Sequence, residues 1–323
     1  MKALVQLGFG TPGRLELCDV ATPAPGPGEV LVRVHAAGLN AADRLMLRGE
    51  PFAIRAGAGG LRRPRPGFVT GRAFAGRVES VGSGVDDLRA GDEVFAEGTG
   101  AIAEFARVRA RLAAPKPATM TFIEAAALPL GGTTALQEVR DALRVRAGQR
   151  VLITGASGGI GTFAVQIAAA RGARVTAVCA GRNAELMTSL GAEAVVDYET
   201  TTAPGEGYDA ILDLAGNYPL PVLRNALAPG GVLGLSVGTG GRWLGPARRI
   251  LAAKLTTRRA RSLVARPGRG DLIALAAMVE EKQVRPVIDR VYPFAEAGAA
   301  MDHIDRGRVA GKIVVEVAGD GSS

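Results

Sequence analysis

Apolar positions change their period once along this chain, near residue 121. Before it they alternate over short runs, as half-buried strands require. Residues 1–7 and 29–36 alternate in this way, with the turn T-P-A-P-G-P-G-E at 22–29 between them. Residues 74–81, 93–96 and 104–108 predict further short strands, with glycine-bearing breaks at 82–84 and 98–100. Residues 55–67, rich in Gly, Pro and Arg, predict a mobile loop. From Thr121 the spacing becomes helical. Thr121 stands as an N-cap with Glu124 at the capping-box position, predicting a helix over 121–128, and 134–143 predicts a second. Strands are then expected at 151–154, 174–179, 194–197, 210–214 and 232–236, separated by helical stretches. That alternation implies a parallel sheet with helices on both faces. Residues 285–292 and 312–317 read as strands again. The expected organisation is a β-rich domain over 1–120, an α/β domain over 121–284, and a segment over 285–323 that returns to the first domain. The last five residues, G-D-G-S-S, read as frayed.

The densest chemical signal is V-L-I-T-G-A-S-G-G-I-G at 151–161, followed by the helical T-F-A-V-Q-I-A-A-A-R at 162–171. Strand, glycine turn and helix together bind a dinucleotide. Glycine lets backbone N–H groups approach a pyrophosphate, and the helix N-terminus carries about half a positive charge toward it. Gly155, Ala156, Ser157, Gly158, Gly159, Ile160 and Gly161 form that candidate turn. A site for NAD usually places an acid about 20 residues past the glycines, to accept from the ribose 2′-hydroxyl. Cys179 and Ala180 stand there, and Arg182 and Asn183 follow. A guanidinium matches a 2′-phosphate in charge and geometry, so NADP(H) is the expected cofactor. Arg182 also fits a solvated residue opening a helix over 183–190. Gly216 and Asn217 follow the 210–214 strand, at a carboxyl end where cofactors bind.

Length and composition narrow the rest. A chain of 323 residues at 47% hydrophobic content has room for two domains and ample core. It has no apolar run of transmembrane length and no signal-peptide pattern, which fits a cytoplasmic protein. Two cysteines, Cys18 and Cys179, make no disulfide framework. The net charge is +8, and the basic residues concentrate over 240–270, where no acid occurs. That run reads as a solvated helix near a phosphorylated cofactor, or as a surface for nucleic acid or anionic membrane. An aromatic content of 4% leaves few platforms for stacking bases, so nucleic acid is disfavoured as a partner.

These residues resemble the medium-chain dehydrogenase/reductase superfamily, in its zinc-free quinone oxidoreductase branch. The resemblance rests on G-P-G-E-V-L-V-R-V (26–34), A-G-L-N-A-A-D (37–43), V-G-S-G-V-D-D-L-R-A-G-D-E-V (81–94), the stretch 125–137, the glycine turn, and G-K-I-V-V (311–315). It implies a GroES-like domain for the substrate and a Rossmann domain for the cofactor, meeting at a cleft. It implies homodimers joined through Rossmann edge strands, with 230–237 in or near such an edge. It places Asn40 beside the nicotinamide and the reacting carbonyl, with Asp43 close by. Thr134 falls near the nicotinamide–ribose–phosphate region, and Lys312 near the cofactor ribose or phosphates. Asn40, Asp43 and Thr134 are therefore the candidate catalytic residues. Asn40 also fits a plain cap for a helix beginning near Ala41, with Asp43 supporting the turn.

No metal site is expected. Catalytic zinc in this superfamily uses a cysteine where 37–43 stands here, and that stretch has none. A structural zinc needs about four thiolates or imidazoles, and the chain has only Cys18, Cys179, His35 and His303. Without a metal to polarise an alcohol, the implied reaction is reduction of a quinone or an α,β-unsaturated carbonyl, with a small hydrophobic substrate. Two departures keep other readings open. Relatives often carry G-x-D-x-A-G where 71–76 reads G-R-A-F-A-G, so Ala73 replaces an acid. No tyrosine precedes Tyr198 to serve as proton donor. A biosynthetic relative doing a non-redox cyclisation or isomerisation fits these departures. A cofactor-binding regulatory protein fits the basic segment.

Overall fold

The computed structural model describes residues 1–236, 247–256, 259–262 and 264–318. The tail 319–323 and Val237 lie outside the described residues, as does part of the basic run 240–270. The first strands are β1 (Lys2–Gln6), β2 (Leu15–Asp19), β3 (Glu29–Leu39), β4 (Ala73–Val81), β5 (Glu93–Glu97), β6 (Phe105–Arg109) and β7 (Ala113–Pro115). The middle strands are β8 (Arg150–Thr154), β9 (Arg174–Cys179), β10 (Ala194–Asp197), β11 (Tyr208–Asp213), β12 (Leu227–Leu235) and β13 (Ala260–Arg261). The last are β14 (Ile288–Pro293) and β15 (Lys312–Glu316). Helices α1 (Ala41–Arg48), α2 (Phe122–Ala127), α3 (Gly131–Gln137), α4 (Gly161–Ala170) and α5 (Ala184–Ser189) are followed by α6 (Leu220–Ala226), α7 (Ala247–Thr256), α8 (Arg269–Glu280) and α9 (Ala297–Arg306).

The chain divides into two compact units. The first holds Met1–Thr133, Pro267–Glu281 and Pro286–Ser323, and the second Thr134–Arg266 with Lys282–Arg285. In the first, a seven-stranded sheet runs β14-β15-β3-β4-β5-β7, with β6 also paired to β3. β3 is its spine. It extends to Leu39, past the expected end at 36, and is buried throughout from Val34 onward. The cause is α2, which packs on β3 and β4. A Cβ on Gly38 would lie 2.2 Å from the Ala126 carbonyl oxygen, so only glycine admits the helix so close. Beneath the sheet, Val30, Val32, Phe74, Val78 and Val94 form the core. Fully buried Phe74 contributes roughly 3 kcal/mol by leaving water.

The second unit is a six-stranded parallel sheet in the order β10-β9-β8-β11-β12-β13. Counted from its own first strand, the order is 3-2-1-4-5-6, that of a dinucleotide-binding sheet. The order reverses between β8 and β11, and ligands bind at the carboxyl ends of the strands there. β12 starts earlier than the expected 232. It lies second from the edge, since β13 pairs with it at Leu233 and Gly234.

Three local features differ from the sequence pattern. Within 55–67, read as a loop, Phe52–Ala58 winds into a 3-10 helix. The helix expected over 134–143 relaxes after Gln137 into a π turn over Glu138–Ala142, closed by Leu143 N–H donating to Glu138 O at 2.9 Å. Helices α8 and α9 were hidden among glycines and charges, although Ala297, Ala300, Met301 and Ile304 have helical spacing.

Candidate active site

In the second unit, Gly161 opens α4 where the helix leaves the turn after β8. A Cβ there would lie 2.3 Å from Gly155 O and 2.5 Å from Ala156 O, so strand and helix meet only through glycine. No side chain caps α4: Ile160 holds the N-cap position without a capping hydrogen bond. Thr162 N–H donates to Gly158 O at 3.0 Å, and the Gly161 and Phe163 amides beside it are left for an anion. The hydroxyl of buried Thr162, in the first turn, has no hydrogen-bond partner. Ala156 is buried, and Ser157, Gly158, Gly159 and Ile160 are partly accessible along the turn. These residues fit a pyrophosphate.

The end of β11 is tied to the same strand. Thr154 Oγ1 donates to Asp213 Oδ1 at 2.6 Å, and Gly216 N–H donates to that oxygen at 2.9 Å. Arg249 Nη2 donates to Asp213 Oδ2 at 2.6 Å and to Tyr218 O at 2.7 Å. Asp213, 1% exposed, therefore shapes the loop carrying Gly216 and the exposed Asn217. The sequence reading does not single out Asp213 or Arg249; the signal lay in an acid ending an otherwise apolar strand.

At the end of β9, Arg182 and Asn183 stand as expected, in the short turn before α5. Arg182 is half-exposed, and its Nη1 lies 3.5 Å from Glu199 Oε1. Asp197, ending β10, lies against Gly181. No acid stands directly after β9 in sequence, yet Asp197 at the end of β10 and Glu199 in the turn after it reach this corner.

In the first unit, β3 ends at Leu39 and α1 begins at Ala41, with Asn40 as N-cap and Asp43 at the third helical position. Asp43 Oδ2 accepts from the Asn40 backbone N–H at 2.8 Å. The Asn40 side chain sits in a capping box with Asp43, its amide beside the Asp43 carboxylate. Its Nδ2 donates to Gly38 O at 3.0 Å, and its Oδ1 accepts from Lys312 Nζ. Both reasons for an asparagine here are visible: Asp43 holds the turn, and Asn40's amide is turned toward Lys312.

Lys312, expected beside the cofactor ribose or phosphates, is thus directed into the first unit at 2% exposure. Burial pulls its ammonium down to about 8, against the opposing fields of Asp43 and Glu97. Burial likewise raises Asp43 to about 6, opposed by its bond from Asn40 and by Arg72 and Lys312. Glu97, ending β5, is 7% exposed and also raised by burial, with the Thr133 hydroxyl bonded to it. Arg72 Nη2 lies 3.4 Å from Glu97 Oε1. Thr134 is buried on α3, and it is its neighbour Thr133 that reaches this cluster.

The remaining candidates for chemistry are spoken for or isolated. His35 stacks on Phe122 with ring centroids 4.2 Å apart, in keeping with a structural histidine. Tyr292 Oη and His303 Nδ1 lie 3.1 Å apart, and His303 Nε2 is 3.5 Å from Asp289. Among the described residues, no group of three or more His, Cys, Asp or Glu is arranged to hold a metal ion. Among them, too, no helix is long and apolar enough to cross a membrane. Glu138, in the π turn, is fully buried and raised by burial to about 7.

Known proteins match this chain over nearly all of its length. A family model described as the alcohol dehydrogenase GroES-like domain matches residues 26–118, and one described as zinc-binding dehydrogenase matches 190–315. A chloroplast envelope quinone oxidoreductase homolog of Arabidopsis thaliana is 34% identical, over 96% of this chain and 95% of that protein. The quinone oxidoreductase of Coxiella burnetii superposes with a TM-score of 0.88 at 30% identity, covering 98% of this chain and 99% of that one. The CurK enoyl reductase gives 0.85 at 26% identity, with 98% of each chain covered. A mycobacterial protein solved in complex with NADPH gives 0.82 at 26% identity, covering 98% of this chain and all of the other.

Proposed function

Since this chain belongs to the medium-chain dehydrogenase/reductase superfamily, in its quinone oxidoreductase-like branch, we propose that it is an NADPH-dependent, zinc-independent reductase of quinones or α,β-unsaturated carbonyl compounds. That it is an NAD(P)H-dependent oxidoreductase of the quinone oxidoreductase type follows from its relatives.

The observation that carries it is the Lys312–Asn40 contact. An asparagine amide has two N–H donors, and Gly38 O takes one. A buried ammonium on Oδ1 polarises the amide and strengthens its second N–H, which lies beside the Asp43 carboxylate and is the donor a substrate oxygen would compete for. Such a donor suits an oxygen that gains negative charge as the reaction proceeds, where each donor is worth about 3–4 kcal/mol. NADPH, when bound, supplies the hydride. The turn 155–161 takes its pyrophosphate and Arg182 its 2′-phosphate, with Asn183, Gly216 and Asn217 completing the cofactor side. Thr134 is assigned to the nicotinamide side.

The test is NADPH oxidation with a panel of quinones, enones and saturated alcohols. Turnover is expected with the first two classes and little with the third. NADPH binding without oxidation by any quinone or enone would replace this reading by a non-redox one.

Cofactor choice gives a sharper expectation. NADPH should bind about 10- to 100-fold more tightly than NADH, the equivalent of one charge-assisted hydrogen bond of about 1.5–3 kcal/mol. Arg182→Ala should erase most of that preference and leave NADH affinity little changed. Calorimetric titration giving the wild type equal affinity for the two cofactors would contradict it.

The pH dependence follows from the same cluster. The active form needs Lys312 charged and Asp43 ionised. kcat/KM should rise through about pH 6 as Asp43 loses its proton and fall through about pH 8 as Lys312 does. A flat profile across that range would remove both groups from the reaction.

A further inference from the structure

The cluster below Asn40 contains two cationic and two anionic side chains, Lys312 and Arg72 against Asp43 and Glu97. Lys312, Asp43 and Glu97 are each less than a tenth exposed. Such burial costs several kcal/mol per charge unless the charges offset one another. If Glu97 were neutral, two cations would share one carboxylate. Each carboxylate also has a partner of its own: Asp43 accepts from the Asn40 N–H at 2.8 Å, and Glu97 lies 3.4 Å from Arg72 with the Thr133 hydroxyl bonded to it.

The position of Glu97 in the sheet is informative. In the antiparallel pair β4–β5, Glu97 lies directly opposite Ala73. Opposed residues point to the same face, with Cβ atoms about 4.5–5.5 Å apart. Ala73 is fully buried and stands where the family pattern carries an acid. The carboxylate lost from β4 is therefore present on β5, one strand away on the same face.

We propose that Glu97 is a positioning residue of this site: its carboxylate, transferred from position 73 to the facing strand, balances Lys312 and so holds the ammonium on Asn40. The inference rests on the reductase reading only in assigning Asn40 to the substrate. On this account Ala73 is a rearranged charge pair and marks no change of reaction. The fields on Lys312 come from Asp43 on α1 and Glu97 on β5. Charged groups on the other packed elements have partners of their own: His303 of α9 contacts Tyr292 and Asp289, Asp302 of α9 pairs with Arg306, and Arg290 of β14 lies over the Tyr292 ring. Glu124 of α2 accepts from Thr121, Asp289 of β14 accepts from Ala310 N–H, and Asp305 of α9 pairs with Arg48. Opposite Lys312 itself, β14 presents Ile288.

Removing the Glu97 charge takes away a field that favours the ammonium, so the Lys312 pKa must fall. The chain has five lysines, so each can be followed by NMR in protein carrying 13C-labelled lysine, with Lys312→Arg identifying the signal. Glu97→Gln is expected to lower the Lys312 titration by about one pH unit. It should move the alkaline limb of kcat/KM down by the same amount and lower kcat about tenfold, with NADPH affinity unchanged. The double variant Ala73→Asp with Glu97→Gln restores the carboxylate from the facing strand. It should return the titration, the limb and kcat most of the way to wild type. An unchanged Lys312 titration in Glu97→Gln overturns the assignment. So does a double variant that restores none of the three. If Glu97→Gln fails to fold, the double variant decides alone, and a titration displaced from wild type by about a unit or more overturns the proposal. A titration that moves as expected in a protein reducing no quinone or enone counts against the reductase reading and leaves the charge balance standing.

Discussion

Asn40→Ala is expected to lower kcat by about 100- to 1,000-fold, while the NADPH dissociation constant stays within about twofold. The asymmetry is the point. Asn40 is an amide fixed from two sides, by Gly38 O at 3.0 Å and by Lys312 on its oxygen. A donor already held in place spends nothing on reorganisation when charge develops on the substrate oxygen, so its worth lies in the transition state. Alanine also leaves Lys312 without its acceptor in a site 2% exposed. Asn40→Asp would restore an acceptor for Lys312 without restoring the N–H donor, and should recover stability but little turnover. Steady-state kinetics beside direct cofactor titration separate the two effects. A parallel loss of kcat and cofactor affinity would mean that Asn40 only supports the fold.

The second large effect is expected from Gly161→Val. The first side-chain carbon would meet the Gly155 and Ala156 carbonyl oxygens at 2.3 and 2.5 Å, and backbone cannot swing aside as a flexible side chain can. Either α4 moves off β8 or the turn opens. The cost is expected to be about 3 kcal/mol or more, about 10 °C in the melting temperature, together with loss of measurable NADPH binding. Gly298→Ala is the matching control. It lies in α9 with nothing within 4 Å of an added Cβ, and should be neutral or slightly stabilising. NADPH affinity retained by Gly161→Val would show that the turn does not hold the cofactor.

How much of this was legible in the sequence depended on distance along the chain. The glycine turn was readable because strand, turn and helix are consecutive, and the parallel sheet because its strand–helix units repeat. The 3-2-1-4-5-6 order was not, since the same repetition also fits the 2-1-3-4-5 order. Asn40 and Asp43 were readable as a capping pair three residues apart. That the Asn40 side chain also reaches Lys312 was not, because the partner is 272 residues away. Glu97 was missed for a related reason. It closes a strand whose apolar residues explain themselves, and its meaning appears only when β4 and β5 are laid in register. The acids beside Arg182 arrive from β10 and its following turn, so a search of the residues after β9 could not find them. The π turn at Glu138 has no local marker, since Glu, Val and Ala all fit an ordinary helix.

The joining of β15 to β3 bears on how the protein is made. Ile313 pairs with Leu39 and Glu316 with Ala36, so the spine of the first sheet waits for a partner 274 residues downstream. At about 5–20 residues per second, a ribosome takes about 15–55 seconds to cover that interval. Throughout it, the buried end of β3 has one unpaired edge, and the Asn40 amide has no ammonium to orient it. The second unit, Thr134–Arg266 with Lys282–Arg285, has its strands complete well before then. Assembly of the cluster around Lys312 thus waits for β15. A nascent chain can complete the sheet of its second unit early, and the contact between Lys312 and Asn40 forms only once β15 has been made.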